Sequence, residues 1–126
     1  MNGPNGYTVL YDPEGRIEAQ LPPDRTTHER VLRAVLAWTD PQALPPDDYE
    51  QIGLLLTGAA RAIADDVRER AGTLPETDGR RLFAETVLAE TATLAKPSRD
   101  LKGVQSKARL LRALYGRLDR LQRSCG

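Results

Sequence analysis

The chain has 126 residues, of which 40% are apolar and 29% charged, and this composition predicts one soluble globular domain. One cysteine excludes an intramolecular disulfide, and the longest uncharged stretch in the helical part, residues 51–60, is too short to span a bilayer. The net charge is zero, but the charged residues are unevenly distributed along the chain. Residues 96–126 carry nine basic and two acidic side chains, a net +7, and the first 95 residues carry −7. Because residues 1–6 lack the features of a secretory signal, we expect a cytoplasmic protein.

The first 21 residues predict a flexible tail, residues 1–6, and then a short β-hairpin over residues 7–21. Apolar residues alternate with polar ones in two runs, around a turn in which Pro13 and Gly15 suit a type I turn and a bulge. An isolated hairpin is marginal in water, so we expect it to lie on the helical body or to pair across a dimer.

Residues 27–122 predict a helical body of four helices, each preceded by proline. Their expected ranges are 27–39, 47–71, 78–95 and 100–122. The predicted fold is therefore mainly α: an antiparallel bundle of three longer helices and one shorter N-terminal helix, preceded by the hairpin. In the first helix Thr26 and Glu29 have the spacing of a capping box. In the third, Phe83 belongs to the stripe expected to face the core, with Ala84, Val87, Leu88, Thr91 and Leu94.

The last helix has two chemically different sides. Its apolar positions recur at spacings of three and four and cover about half of the circumference, which predicts packing between two neighbours. The opposite arc, called here the basic face, contains Lys102, Arg109, Arg112, Arg117, Arg120 and Arg123. At about 1.5 Å per residue this face is about 30 Å long.

The basic face allows two interpretations. It could contact nucleic-acid phosphates, or it could be a solvated or protein-binding face whose arginines pair with acids of the second and third helices, such as Asp65, Asp66, Glu69, Glu85 and Glu90. The last helix has no interleaved stacking aromatics and no helix-turn-helix spacing, and the pI is about 6.6. These observations favour a protein partner.

No residue pattern points to catalysis or to a bound cofactor. His28 is the only histidine and lies in a first helical turn, where an exposed side chain is expected, and Cys125 lies in a terminal tail expected to fray. One histidine and one remote cysteine exclude the common zinc patterns. Gly53 and Gly58 lie within a helix, where small residues permit close packing rather than phosphate binding. We therefore expect no enzyme, no cofactor and no metal.

From Leu44 to about Leu121 the chain resembles a family of small helical actinomycete proteins labelled natural-product-biosynthesis proteins. The resemblance is carried by Leu44-Pro45-Pro46-Asp47-Asp48, Leu54-Leu55-Leu56-Thr57-Gly58, Leu74-Pro75, Arg80-Arg81 with Glu85, and Ala108-Arg109-Leu110-Leu111-Arg112-Ala113-Leu114. Where that family has Gly-His this chain has Gly58-Ala59, and where it often has Cys-Asp-His-Tyr this chain has Leu114-Tyr115-Gly116-Arg117. The resemblance implies an all-helical body and a secondary-metabolism setting.

The sequence therefore predicts a non-catalytic accessory or regulatory protein that acts by protein–protein interaction. Self-association as a homodimer, through the hairpin or through leftover leucine surface, is part of that expectation. The alternative is a nucleic-acid-binding regulator that uses the basic face. A third class, a protein that sequesters a small molecule, requires an apolar cavity.

Overall fold

The structure is a computed structural model that describes residues 25–125, with side chains described through Arg123. Four α-helices follow one another: α1 Arg25–Ala37, α2 Pro46–Ala71, α3 Gly79–Ala89 and α4 Leu101–Cys125, with a 3₁₀ segment, Glu90–Ala95, between α3 and α4. Residues 25–125 contain no strand, which confirms a mainly helical fold for this part of the chain. The predicted tail and hairpin, residues 1–21, lie outside the described residues.

The contacts between helices give their directions. The start of α1 meets the end of α4 through Arg25 and Asp119, and Phe83 of α3 lies beside Arg117, so α1 and α3 run antiparallel to α4. Asp47 at the start of α2 pairs with Arg99 just before α4, and Thr57, farther along α2, meets Lys107, farther along α4, so these two helices run parallel. Helices that are neighbours in the chain therefore alternate in direction, as the short connections between them predict.

The last helix forms the centre of the bundle. α4 contacts each of the other three helices, and its most extensive contact is with α2. Its apolar side is buried among them, at Leu101, Val104, Ala108, Leu110, Leu111, Leu114, Tyr115, Leu118 and Leu121. This confirms the prediction that a half-apolar helix packs between neighbours, and it leaves none of these leucines exposed for self-association.

The ends of α2 follow from its sequence. Pro46 occupies the first turn, where no backbone N–H is needed, and Asp47 and Asp48 place negative charge at the positive end of the helix dipole. Arg68 and Arg70 lie in the last turn, where the dipole favours cations. The helix stops at Ala71, as predicted.

Two predicted details of the shorter helices are wrong. α1 already includes Thr26, so Thr26 is not an N-cap; the Glu29 carboxylate instead accepts a hydrogen bond from Arg25 Nε at 2.9 Å. The predicted third helix does not continue to residue 95 as α-helix, because a 3₁₀ segment replaces its last part. There the hydroxyls of Thr91 and Thr93 donate to carbonyls three residues earlier, a local competition that disfavours regular helix.

Two glycines let a loop residue enter the seam between α2 and α4. Ser98 precedes α4, and an added Cβ at Gly53 of α2 would lie 3.2 Å from the Ser98 Cβ. An added Cβ at Gly103 of α4 would lie 3.0 Å from both the Cβ and the Oγ of Ser98. The close packing predicted for Gly53 is confirmed.

Candidate functional site

The structure places the basic face on the solvent side of α4. Lys102, Arg109, Arg112, Arg120 and Arg123 are exposed and Arg117 is half-buried, whereas the leucines of the opposite side are buried. The prediction of a two-sided helix is therefore confirmed. The face spans about 30 Å, at about 1.5 Å per residue.

Two of the acids predicted to neutralise the basic face pair with other residues instead. Asp65 pairs with Arg68 on its own helix at 2.9 Å, and Glu85 pairs with Arg81 on its own helix at 3.0 Å. No described ion pair joins the basic face to these two acids or to the other predicted acids, Asp66, Glu69 and Glu90. The physical reason is local: an arginine three or four residues away on the same helix reaches each carboxylate first.

The acid at the edge of the basic face is Asp119, and α1 provides its counter-charge. Arg25 donates two hydrogen bonds to the Asp119 carboxylate, at 2.6 and 2.7 Å, and its guanidinium lies 4.5 Å from the centroid of the Tyr115 ring. The hydrogen bonds from Arg25 hold the pKa of Asp119 below its usual range, and Arg123 lowers it further. This pair fixes the start of α1 against α4 and removes Asp119 as an internal partner for the arginines.

The prediction that His28 is exposed is wrong. His28 is 7% exposed, and its Nδ1 lies 2.6 Å from the hydroxyl of Tyr115, with which it shares a hydrogen bond. The two residues are 87 positions apart, so no local pattern could indicate the pairing. Burial and this bond give His28 a packing role between α1 and α4.

The prediction that Phe83 faces the core is also wrong. Phe83 is 64% exposed and its neighbour Leu82 is 53% exposed, and both are large apolar side chains on the surface. α3 buries Ala84 instead, which lets α3 lie close to the core, and Phe83 is carried to its outer edge. There the Arg117 guanidinium lies 5.7 Å from the centroid of the Phe83 ring. The structure thus supplies the aromatic neighbour that the last helix lacks in its own sequence.

Two shallow clefts meet at Gly116 on the solvent side of α4. One lies between α1 and α4, has a volume of about 620 Å³, and is lined in part by Leu32, Arg33 and Arg112. The other lies between α3 and α4 beside Phe83. Gly116 lines both clefts, and a Cβ added there would meet no atom within 4 Å. The basic face is therefore not flat but dips in its middle.

A buried lysine is the polar residue that the sequence analysis missed. Lys107 is 7% exposed, and its Nζ donates hydrogen bonds to Thr57 Oγ1 at 2.7 Å and to the carbonyl oxygen of Leu94 at 3.1 Å. Burial lowers the pKa of the Lys107 amine, and the positive charge of Arg61 lowers it further. The signal in the sequence is its position: Lys107 lies within the apolar stripe of α4, beside Ala108.

The described residues contain no group of three or more His, Cys, Asp or Glu side chains that could hold a metal ion. Asp65, Asp66 and Glu69 are exposed on the outer side of α2. No helix among the described residues is both long enough and apolar enough to cross a membrane. Comparison of the chain with family models, with curated proteins and with solved structures gives no match.

Proposed function

We propose that this chain is a non-catalytic accessory or regulatory protein that binds another protein through the basic face of α4. The observation that carries the proposal is the exposure of Phe83 directly beside that face. Aromatic residues and arginine are enriched in the centres of protein interfaces, where a few such side chains provide most of the binding free energy. The dip at Gly116 leaves room for a side chain of the partner.

Charge determines the kind of partner. The basic face presents six cationic side chains, and two of its predicted internal acids, Asp65 and Glu85, pair with arginines of their own helices. A two-fold dimer through this face would bring like charges together, which costs free energy. We therefore propose a different protein with an acidic surface that carries an apolar side chain. A cytoplasmic location, expected from the sequence, and a secondary-metabolism setting, which the resemblance implies, belong to the same proposal.

The experiment has two stages. Wild-type protein captures a partner from native lysate, and the identified partner is then purified and titrated calorimetrically against variants. Phe83→Ser and Arg117→Glu should each weaken binding about tenfold or more, since they change hot-spot residue types. Glu69→Lys, on the outer side of α2, is the matched control and should bind as the wild type does. Replacing an interfacial acid of the partner with lysine should restore binding to Arg117→Glu.

Equal affinities for all three variants would refute the basic face as the docking site. A homodimer through the predicted hairpin, residues 7–21, is a separate part of the proposal. Sedimentation should then show a dimer at high micromolar concentration, and a pure monomer would exclude it.

One observation favours nucleic-acid binding as a second candidate function. Phe83 adds an exposed ring beside Arg117, and single-stranded nucleic acids bind where cationic side chains adjoin aromatic rings on which bases stack. Affinity for DNA should then fall steeply with salt, with a log–log slope of about −0.7 per phosphate neutralised on a single strand or about −0.9 on a duplex. The double variant Arg112→Glu, Arg120→Glu should abolish binding. Undetectable or salt-insensitive binding at low ionic strength would remove this candidate.

A further inference from the structure

The segment that leads into α4 forms a groove with the first turns of that helix, away from Phe83 and Gly116. The groove has a volume of about 600 Å³, within the usual range of about 300–1,000 Å³ for small-molecule sites. Its walls come from the 3₁₀ segment, the loop of residues 96–100 and α4. Two of its lining residues, Ser98 and Lys107, are buried polar residues whose environments are not explained by the fold alone.

Ser98 has a buried side chain whose hydroxyl has no hydrogen-bond partner among residues 25–123. The residue is 8% exposed, and no hydrogen bond joins its side chain to any described residue. Gly53 and Gly103 pack close to the Ser98 side chain, which also lines the groove, so a ligand in the groove can reach its hydroxyl. Buried hydroxyls are nearly always hydrogen-bonded, and an exception calls for a partner that binds from outside.

Lys107 has a buried ammonium group without a counter-charge. Its two acceptors, the Thr57 hydroxyl and the Leu94 carbonyl, are both neutral, and they use two of its three N–H donors. No carboxylate among the described residues forms an ion pair with it. Burial lowers the pKa of this amine, as expected for a cation that lacks an anion.

The rim of the groove is cationic. Lys96 and Arg109 line it and are exposed, and Glu90 is the one carboxylate among its lining residues. With Lys107 this gives three cationic side chains to one acid. The field in the groove therefore attracts anions, and a ligand would meet a charged rim before it reached the buried groups.

We propose that this groove binds a small anion, a carboxylate or phosphate group of a small molecule, with the Ser98 hydroxyl donating to it and Lys107 supplying its counter-charge. Lys96 and Arg109 attract the anion at the rim. The ligand accepts a hydrogen bond from the Ser98 hydroxyl, which has no partner among the described residues, and neutralises the buried cation. The site shares Arg109 with the basic face, but Phe83, Arg117 and Gly116, the centre of the proposed protein-binding surface, take no part in it.

The test is an NMR titration of the isotope-labelled full chain with two probes, inorganic phosphate and acetate, at constant ionic strength. Saturable shifts should centre on the amides of Ser98, Gly103 and Lys107 for at least one probe, and the two titrations distinguish a phosphate from a carboxylate ligand. Ser98→Ala should weaken binding about tenfold, because a hydrogen bond to an anion is lost. Its melting temperature should equal or exceed that of the wild type, because the hydroxyl has no partner within the protein.

Ser106→Ala is the matched control on the same groove. The Ser106 hydroxyl already donates to the Lys102 carbonyl at 3.1 Å, so its removal should leave anion affinity within about twofold. Lys107→Met should abolish binding, and where that variant fails to fold, Ser98→Ala decides the question. The proposal is overturned if neither anion gives saturable shifts up to about 20 mM, or if Ser98→Ala binds as tightly as the wild type.

Discussion

Two glycines of α4 should respond in opposite ways to the same substitution by alanine. A Cβ added at Gly116 would meet no atom within 4 Å, whereas one added at Gly103 would lie 3.0 Å from Asp100 Oδ1 and from the Cβ and Oγ of Ser98. Ordinary van der Waals contact is 3.4–4 Å. Both glycines lie within one helix, so helix propensity favours alanine at both, and a steric clash is the effect that can make the two variants differ in sign.

The magnitudes follow from two terms. Alanine is favoured over glycine in a helix interior by about 1 kcal/mol, and Gly116→Ala should gain about that much. Gly103→Ala lies in the first turn and gains less, while overpacking costs about 1–3 kcal/mol. We therefore expect Gly116→Ala to raise the free energy of unfolding by about 1 kcal/mol and Gly103→Ala to lower it by up to about 2 kcal/mol.

The assay is urea denaturation of the two variants and the wild type, followed by far-UV circular dichroism. The m-values should agree, so that the midpoints report stability directly. In a thermal melt Gly116→Ala should raise Tm by about 3–4 °C. If Gly103→Ala proves as stable as Gly116→Ala, then Ser98 is not packed closely between α2 and α4.

Three further outcomes follow from single side chains. Gln105→Ala should lower the free energy of unfolding by about 1–2 kcal/mol in urea, because Gln105 donates to two carbonyls at the end of α1. The pKa of Lys107 is lowered from 10.5 in the folded protein, so between the lowered value and 10.5 the unfolded chain binds more protons than the folded one. The free energy of unfolding of the wild type, measured at several pH values, should therefore rise with pH in that window more than that of Lys107→Met. The pKa of Asp119 is lowered from 3.8, so its contribution should be lost as pH falls below about 4, and acid titration should show less of this loss in Asp119→Asn.

The features that could be predicted from the sequence are those determined by residues close together in the chain. Proline and the acids after it fix the start of α2, and the spacing of leucines fixes which side of α4 is buried. Because a helical period and a helix start are local properties, the basic face follows from residue spacing alone. The structure confirms that this face is exposed to solvent.

The features that sequence could not predict depend on distant partners. His28 is buried because Tyr115, 87 positions away, offers a hydrogen bond, and Phe83 is exposed because α3 approaches the core through Ala84. Helical periodicity puts Phe83 and Ala84 in one stripe, and only the packed neighbour decides which of them is covered. The ion pairs predicted for Asp65 and Glu85 were wrong because an arginine on the same helix reaches each of these acids first. The buried ammonium of Lys107 could have been suspected from a lysine inside an apolar stripe.

The central position of α4 has a consequence for synthesis on the ribosome. α1 cannot bury His28 until Tyr115 has been made, 87 residues later, which takes about 4–17 s at about 5–20 residues per second. During that interval the apolar sides of α1, α2 and α3 lack the helix that covers them. The apolar residues of the nascent chain therefore stay uncovered until its last helix emerges.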